Sequence, residues 1–324
     1  MIAAYSPVLV TGAAGFVGAG IVHALIGQGH EVHVLLRSGS DPWRLRPVWS
    51  RLTAHTADLM DADAVAAAVA RVQPRAVLHL AAHGAYERQS DARAIIQTNI
   101  LGTYNLLDAA SRCTDLRIVV NTGSSSEYGF KTEAMREADR VEPNSFYAVA
   151  KAAQTHLVTL LAKRGTVPAV TFRLFSVYGP WEEPTRLIPT LVRRVRAGLP
   201  LEMVGPAVAR DFVYLDDVTD LLTDFPKLAA ASGGVFNLGT GRETTLAEVV
   251  EVIQELAGRK VEVRWGAMPA RQWDATTWRA DPAHAAERLG WVARVPLREG
   301  LARTIAWSEH REREDEAGDR RKAA

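Results

Sequence analysis

Val8-Leu9-Val10-Thr11-Gly12-Ala13-Ala14-Gly15-Phe16-Val17-Gly18 reads as a β-strand that runs into glycines and then into a helix. The spacing is Gly-x-x-Gly-x-x-Gly. Glycine permits a tight strand-to-helix turn and lets a phosphate approach the helix N-terminus, where free N–H groups and the helix dipole favour an anion. The stretch therefore predicts a pyrophosphate cradle in the first βα unit; the plain alternative is a tight turn that holds nothing. Gly12, Gly15, Phe16, Val17 and Gly18 are the candidate dinucleotide contacts.

Further along, short apolar β-type runs recur at 7–10, 31–36, 76–80, 117–121 and 169–174, with a third strand before Asp58. Alanine-rich stretches at helical spacing, 61–71 and 92–110, lie between them. Strand and helix alternating in this way specify α/β architecture, a doubly wound parallel sheet covered on both faces. After Phe175 the pattern changes: Pro180, Pro184, Pro189, Pro200 and Pro206 break the chain into short pieces around one helix at 187–197. A further helix starts at Thr245, with Glu248 completing a capping box, and stops at Gly258; Asp281-Pro282 opens another that ends before Gly290. The expected organisation is a dinucleotide-binding domain over 1–175 with returning segments near 211–240. A smaller, irregular C-terminal substrate-binding lobe covers 176–309, and a charged tail over 310–324 is expected to fray.

Composition narrows the partners. With 324 residues the chain exceeds one ordinary core. Lys and Arg number 38 against 37 Asp and Glu, a net charge of +1, which offers no concentrated basic surface for nucleic acid. No apolar run is long enough to span a membrane, and residues 1–10 lack the basic head and apolar stretch of a secretory signal. The single cysteine, Cys113, excludes an intrachain disulfide and a cysteine-based zinc site, and no metal is expected. These features predict a cytoplasmic globular protein.

The end of the second strand normally declares the cofactor, because an acid there binds the ribose 2′-hydroxyl of NAD. Here the strand reads Val32-His33-Val34-Leu35-Leu36-Arg37-Ser38, with no acid before Asp41. Arg37 and Ser38 suit a 2′-phosphate, so NADP is expected, with NAD as the alternative if Arg37 is a solvated strand end or lies across the adenine. Asp58 and Leu59, after the third strand, are candidate adenine contacts.

Tyr147-Ala148-Val149-Ala150-Lys151 falls in a helical pattern between Pro143 and Gly165, whose buried side is expected at Phe146, Val149, Ala153, Leu157 and Leu160. Residues four apart share a helix face, so the phenol and ammonium can meet at one site. A cation beside a phenol lowers its pKa, which would make Tyr147 an acid/base. The segment Asn121-Thr122-Gly123-Ser124-Ser125-Ser126-Glu127-Tyr128-Gly129 ends the fifth strand, at the carboxyl edge where ligands gather in such sheets.

The glycine loop, the serine-rich strand end and a YxxxK motif 23 residues after Ser124 together resemble the extended short-chain dehydrogenase/reductase family, a Rossmann fold. The likeness extends to His79-Leu80-Ala81-Ala82, to Asn99 within 98–103, to 210–218 and to 236–241. It implies Tyr147 as acid/base at a sugar carbinol or ketone, Lys151 tuning it and holding the nicotinamide ribose, and Ser124 hydrogen-bonding the reacting oxygen. It also implies cofactor contacts at Ala81, Ala82 and Asn99, and Arg210 clamping the diphosphate of a nucleotide-diphosphate sugar. The plain reading of Arg210 is an ion pair with Asp211 or Asp216. His83, Tyr86, Ser125, Ser176, Arg186 and Arg271 are further substrate candidates, and Trp181 either stacks on the base or packs the proline-rich turn.

Relatives that eliminate water carry an acidic pair directly after the catalytic Ser/Thr. This chain has Ser125 and Ser126 there, with Glu127 one place late and expected on the wrong side of an extended segment, so a 4,6-dehydratase is disfavoured. The Gly-Ser-Ser-Ser-Glu-Tyr-Gly segment resembles deoxysugar 4-keto-reductases. Reduction of a nucleotide-linked 4-keto-6-deoxy sugar is the leading expectation, and a 4-epimerase retaining NAD is the alternative. A silent dinucleotide-binding regulatory protein is a third reading, disfavoured because Ser124, Tyr147 and Lys151 are all present. The resemblance further implies a homodimer through a four-helix bundle, to which Ala109, Ala110, Ala152, Ala153, Leu157 and Leu161 offer an apolar face.

Overall fold

The structure is a computed structural model that describes residues 2–86, 88–269 and 277–323, with side chains up to residue 313. Seven strands form one parallel sheet: β1 (Val8–Thr11), β2 (Val32–Leu36), β3 (Thr53–Thr56), β4 (Ala76–His79), β5 (Ile118–Ser124), β6 (Ala169–Leu174) and, much later in the chain, β11 (Val235–Leu238). Their order is β11-β6-β5-β4-β1-β2-β3, so the chain winds outward from β1 in one direction and returns to build the other half. The crevice at that reversal, beyond the carboxyl ends of β1 and β4, is where open α/β sheets bind ligands.

Alternation along the strands divides the core in two. Val8, Val10, Leu78 and Val120 point to one face, where α1 (Phe16–Gln28) packs with α7 (Leu215–Leu222), α8 (Phe225–Ala230) and α10 (Ala283–Leu289). Leu9, Val77 and Val119 point to the other, under α2 (Ala62–Val72), α4 (Gly102–Ala110) and α5 (Phe146–Lys163). Burial on both faces explains why these strands read as continuous apolar runs. A short helix α3 (Ala92–Ile96) joins α4 through a π-helical turn, Gln97–Leu101.

The second lobe has its own apolar cluster, built by α6 (Leu187–Ala197), α9 (Leu246–Leu256) and α11 (Leu297–Ala323). Three two-stranded pieces complete it: β7 (Ser176–Tyr178) with β10 (Phe212–Tyr214), β8 (Leu201–Met203) with β13 (Val263–Trp265), and β9 (Ala209–Arg210) with β12 (Thr244–Thr245). The capping box at Thr245 and Glu248 forms as the spacing predicts.

Three expectations are corrected. The segment 310–323 does not fray from the fold but forms the end of α11. Glu312, with Glu309 one turn before it, pairs with Arg196 on α6 and ties the helix down. On α5 the expected buried stripe is largely the exposed one, with Phe146 60%, Val149 46% and Leu160 47% accessible. The buried side instead carries Ala148, Lys151, Ala152, Gln154 and Thr155, because the face over the sheet must admit the polar groups of the site. Ala109 and Ala110 on α4 and Ala152 on α5 are buried within the chain and offer no open face to a partner, and Leu157 and Leu161 pack on the same core.

At the glycine loop Gly12 has φ +68°, and a Cβ on Gly18 would lie 2.2 Å from the Gly12 carbonyl oxygen. We expect Gly18→Ala to push the loop away from the helix and destabilise the fold by about 1–3 kcal/mol. Dinucleotide affinity should fall with it; thermal melting and a dinucleotide titration check both, and a wild-type melt would contradict the close packing.

Candidate active site

A cavity of about 1280 Å³ opens between the two lobes. Gly12, Gly15, Phe16, Val17 and Gly18 line one end, with Arg37, Asp58 and Leu59 beyond them and Ala81 and Ala82 alongside. Ser124, Ser125, Tyr147 and Lys151 line the middle, and His83, Tyr86, Ser176, Arg186 and Arg210 the side facing the second lobe. Ser38 stands in an exposed turn and is not part of the wall. Arg271 lies outside the described residues.

Ser124 ends β5 and caps the 3-10 turn Ser125–Tyr128: its hydroxyl accepts from the Ser126 amide at 3.1 Å and donates to the Ser126 hydroxyl at 3.0 Å. The Tyr147 phenol stands at the start of α5 and lines the cavity with Ser124. Burial pushes the phenol up to about 12, with the neighbouring Ser124 hydroxyl and Arg186 only moderating it. The lowering expected from Lys151 does not prevail over burial. Lys151 donates to the Thr122 carbonyl and, at 2.5 Å, to Gln154 Oε1, and burial pulls it down to about 8.

A buried chain of bonds runs from that ammonium to the glycine loop. Gln154 donates to Thr103 Oγ1 at 2.8 Å, and Thr103 gives its one proton to the Asn99 carbonyl at 2.7 Å. Thr103 must therefore accept from His79 Nε2 at 2.8 Å, which leaves Nδ1 to accept from the Thr11 hydroxyl at 2.7 Å. Burial, assisted by the Lys151 charge, holds His79 neutral with a pKa of about 3. Asn99 sits behind the wall: its amide braces the loop after β4 by bonding both the amide (2.9 Å) and the carbonyl (2.7 Å) of His83.

Glu127 is on a tight turn rather than an extended segment, so the expected reason for excluding it does not hold. The side chain is fully buried and spoken for by the Ser124 amide (2.8 Å), Thr155 Oγ1 (3.0 Å) and Arg173 Nε (2.8 Å). Removed from the cavity by those three donors, it supplies no acid next to Ser124.

In the second lobe Asp211 is saturated by the Thr240, Gly241 and Ala280 amides and the Thr240 hydroxyl, and Asp216 pairs with Arg303. Arg210 lies with its guanidinium 5.8 Å from the Trp278 ring and lines the cavity. Trp181, at φ +71°, stacks on His23 at 4.8 Å and meets Trp307 edge-on, so it packs the turn and not a base.

Three residues escaped the sequence reading. Arg44 is buried and joins the lobes, donating to the Ala14 carbonyl (3.1 Å), the Trp181 carbonyl (2.6 Å) and Glu183 (3.2 Å). Glu182, 8% exposed, has an Oε2 without a hydrogen-bond partner among the described residues, and burial pushes its carboxyl up to about 8 against the pull of Arg186. Trp278 donates its indole N–H to Ser125. None has a local motif; each is brought in by the lobe packing.

A parallel sheet with a glycine cradle at its switch point, joined to a Ser–Tyr–Lys constellation on the carboxyl edge, defines a dinucleotide-dependent oxidoreductase site. The chain belongs to the NAD dependent epimerase/dehydratase family, whose model matches residues 8–239. It is 32% identical to the UDP-glucose 4-epimerase of Mycolicibacterium smegmatis, over 92% of this chain and 96% of that one. It is 28% identical to the dTDP-glucose 4,6-dehydratase of Neisseria gonorrhoeae, over 93% and 94%. Among solved structures, MoeE5 in complex with UDP-glucuronic acid and NAD superposes with a TM-score of 0.81 at 32% identity, covering 94% of this chain and 99% of that one. No helix among the described residues is long and apolar enough to cross a membrane, and no group of three or more His, Cys, Asp or Glu there could hold a metal ion.

Glu182 provides a pH test. Its folded pKa is raised, so the native state holds a proton that the unfolded state releases near the ordinary carboxylate value. Stability is therefore lost as pH rises from about 4.5 to about 8 and is flat above that. We expect the melting temperature of the wild type to drop by several degrees relative to Glu182→Gln between pH 5 and pH 8. Parallel melting curves across that window would contradict the buried acid.

Proposed function

We propose that the protein is a nucleotide-sugar oxidoreductase acting at C4, reducing a nucleotide-linked 4-keto-6-deoxy sugar with NADPH. The observation that carries the reading is Arg37. It lines the cavity at the end of β2, where an acid would otherwise receive the 2′-hydroxyl, and its guanidinium makes no ion pair or hydrogen bond to another described residue. A guanidinium uncommitted at that place suits a 2′-phosphate.

The site fits a dinucleotide: a Cβ at Gly12 or Gly18 would fill the cradle, coming within 2.5 Å or 2.2 Å of backbone. Gly12, Gly15, Phe16, Val17 and Gly18 would hold the pyrophosphate end, and Asp58, Leu59, Ala81 and Ala82 the adenosine side. When bound, the nicotinamide supplies the hydride. Ser124 holds the carbonyl oxygen and Tyr147, protonated at neutral pH, delivers its proton to that oxygen as the carbon is reduced. Lys151 keeps positive charge beneath the phenol and is held in position by Thr122 and Gln154. Arg210 and Arg186 are the cations available to the diphosphate and sugar. A 4-epimerase with retained NAD is the second reading, favoured by the likeness over nearly the whole chain to the mycobacterial UDP-glucose 4-epimerase.

A homodimer accompanies either reaction in this reading. Ile96, Leu101 and Tyr104 before and on α4, and Phe146, Val149 and Leu160 on α5, are 40–60% exposed and apolar, a face that a second copy of the chain would cover.

Tyr147→Phe is expected to lower turnover at least about a hundredfold while leaving dinucleotide affinity within about twofold. Normal turnover would exclude the phenol as proton donor. Arg37→Ala should weaken NADPH by about tenfold or more and NADH little, measured by fluorescence titration. Equal effects, or tightly held NAD released from denatured protein, would move the assignment to the epimerase.

A further inference from the structure

The second serine after β5 has an unusual mount. The indole N–H of Trp278 donates to Ser125 Oγ at 3.0 Å, with Ser125 5% and Trp278 9% exposed and both lining the cavity. An indole has a donor and no acceptor, so this bond fixes the serine oxygen as an acceptor. The serine keeps one proton of its own, and no described residue accepts it. That proton is left to face the cavity beside Ser124.

The backbone that carries the indole is itself held, and the ring packs in a cluster with Tyr128, Met135, Phe175 and Ala280. The Trp278 amide donates to Glu243 at 2.8 Å, Ala280 bridges to Met135, and the Ala280 amide donates to Asp211 at 3.0 Å. The Arg210 guanidinium lies 5.8 Å from the ring centre. One aromatic residue thus touches the serine next to the reacting position and lies against the arginine at the diphosphate side.

We propose that Trp278 is a positioning residue that orients the Ser125 hydroxyl as a hydrogen-bond donor to an oxygen of the bound sugar. The inference rests on the nucleotide-sugar reading above. It separates two tasks on neighbouring residues: Ser124 serves the reacting oxygen, and Ser125, aimed by Trp278, serves a second sugar oxygen and so fixes the ring.

A double-mutant cycle on the full-length chain tests it, reading dissociation constants for UDP-glucose and dTDP-glucose and for the sugar-free UDP and dTDP. Ser125→Ala and Trp278→Phe should each weaken the sugar-bearing ligand about threefold to tenfold and leave its sugar-free counterpart unchanged. The double variant should lose no more than either single one. Additive losses, or equal weakening of the sugar-free nucleotides, would assign Trp278 a general packing role and overturn the inference. Should Trp278→Phe fail to fold, Ser125→Ala carries the test alone, and unchanged affinity for the sugar-bearing ligands overturns it. Wild-type protein that binds none of the four nucleotides would overturn the nucleotide-sugar reading and this inference together.

Discussion

The ammonium of Lys151 is buried beneath the carboxyl edge of the sheet, and much of the site's architecture follows from keeping it there. An isolated charge in that position would cost several kcal/mol. Thr122 and Gln154 accept two of its protons; Gln154 must then be held, which falls to Thr103, and Thr103 in turn fixes His79 and through it Thr11. The chain of bonds ends on the residue that precedes the glycine loop. A polar thread therefore ties α5 to the glycine loop through the core, and it leaves His79 a neutral structural link.

The same requirement explains where sequence periodicity misled. Apolar residues at Phe146, Val149 and Leu160 have helical spacing, and spacing alone assigns them to the core. Once Lys151, Gln154 and Thr155 must lie inward, small residues such as Ala148 and Ala152 fill the space beside them, and the large ones are rotated outward. Strand positions were legible because burial on both faces leaves an apolar run, as at Val8, Leu9 and Val10 and at Ile118, Val119 and Val120. Ser124, Tyr147 and the glycines were legible because their chemistry is local. Arg44 and Trp278 were not, because each owes its place to partners distant in the chain: Ala14 and Trp181 for Arg44, Ser125 for Trp278.

Glu127 shows how little of a residue's role its place in a motif decides. It follows Ser124 by three positions, close enough in sequence to act on the same substrate. Instead its carboxylate closes a capping box with Ser124 and neutralises Arg173, which holds Tyr128, whose hydroxyl donates to Asn237 on β11. A carboxylate of the kind that serves elimination has become part of the join between β5, β6 and the edge strand. With Ser125 and Ser126 in the two places between Ser124 and Glu127, the wall beside Ser124 presents hydroxyls and the Trp278 indole in place of a carboxylate.

The two lobes have to remain in register for that wall to matter, since the glycine cradle and Ser124 belong to one and Arg186 and Arg210 to the other. Arg44 supplies a direct link, with one guanidinium bonded to the cradle carbonyl of Ala14, the Trp181 carbonyl and Glu183. Three residues after Glu183, and immediately before α6, Arg186 reaches the Ala85 carbonyl and the Tyr86 ring across the mouth of the cavity. The short segment from Trp181 to Arg186 is therefore held at both ends, to the glycine loop through Arg44 and to the loop after β4 through Arg186. Two of the three acceptors on Arg44 are backbone carbonyls, which remain whatever side chain stands at 14 or 181, and the strength of the join rests on the arginine itself.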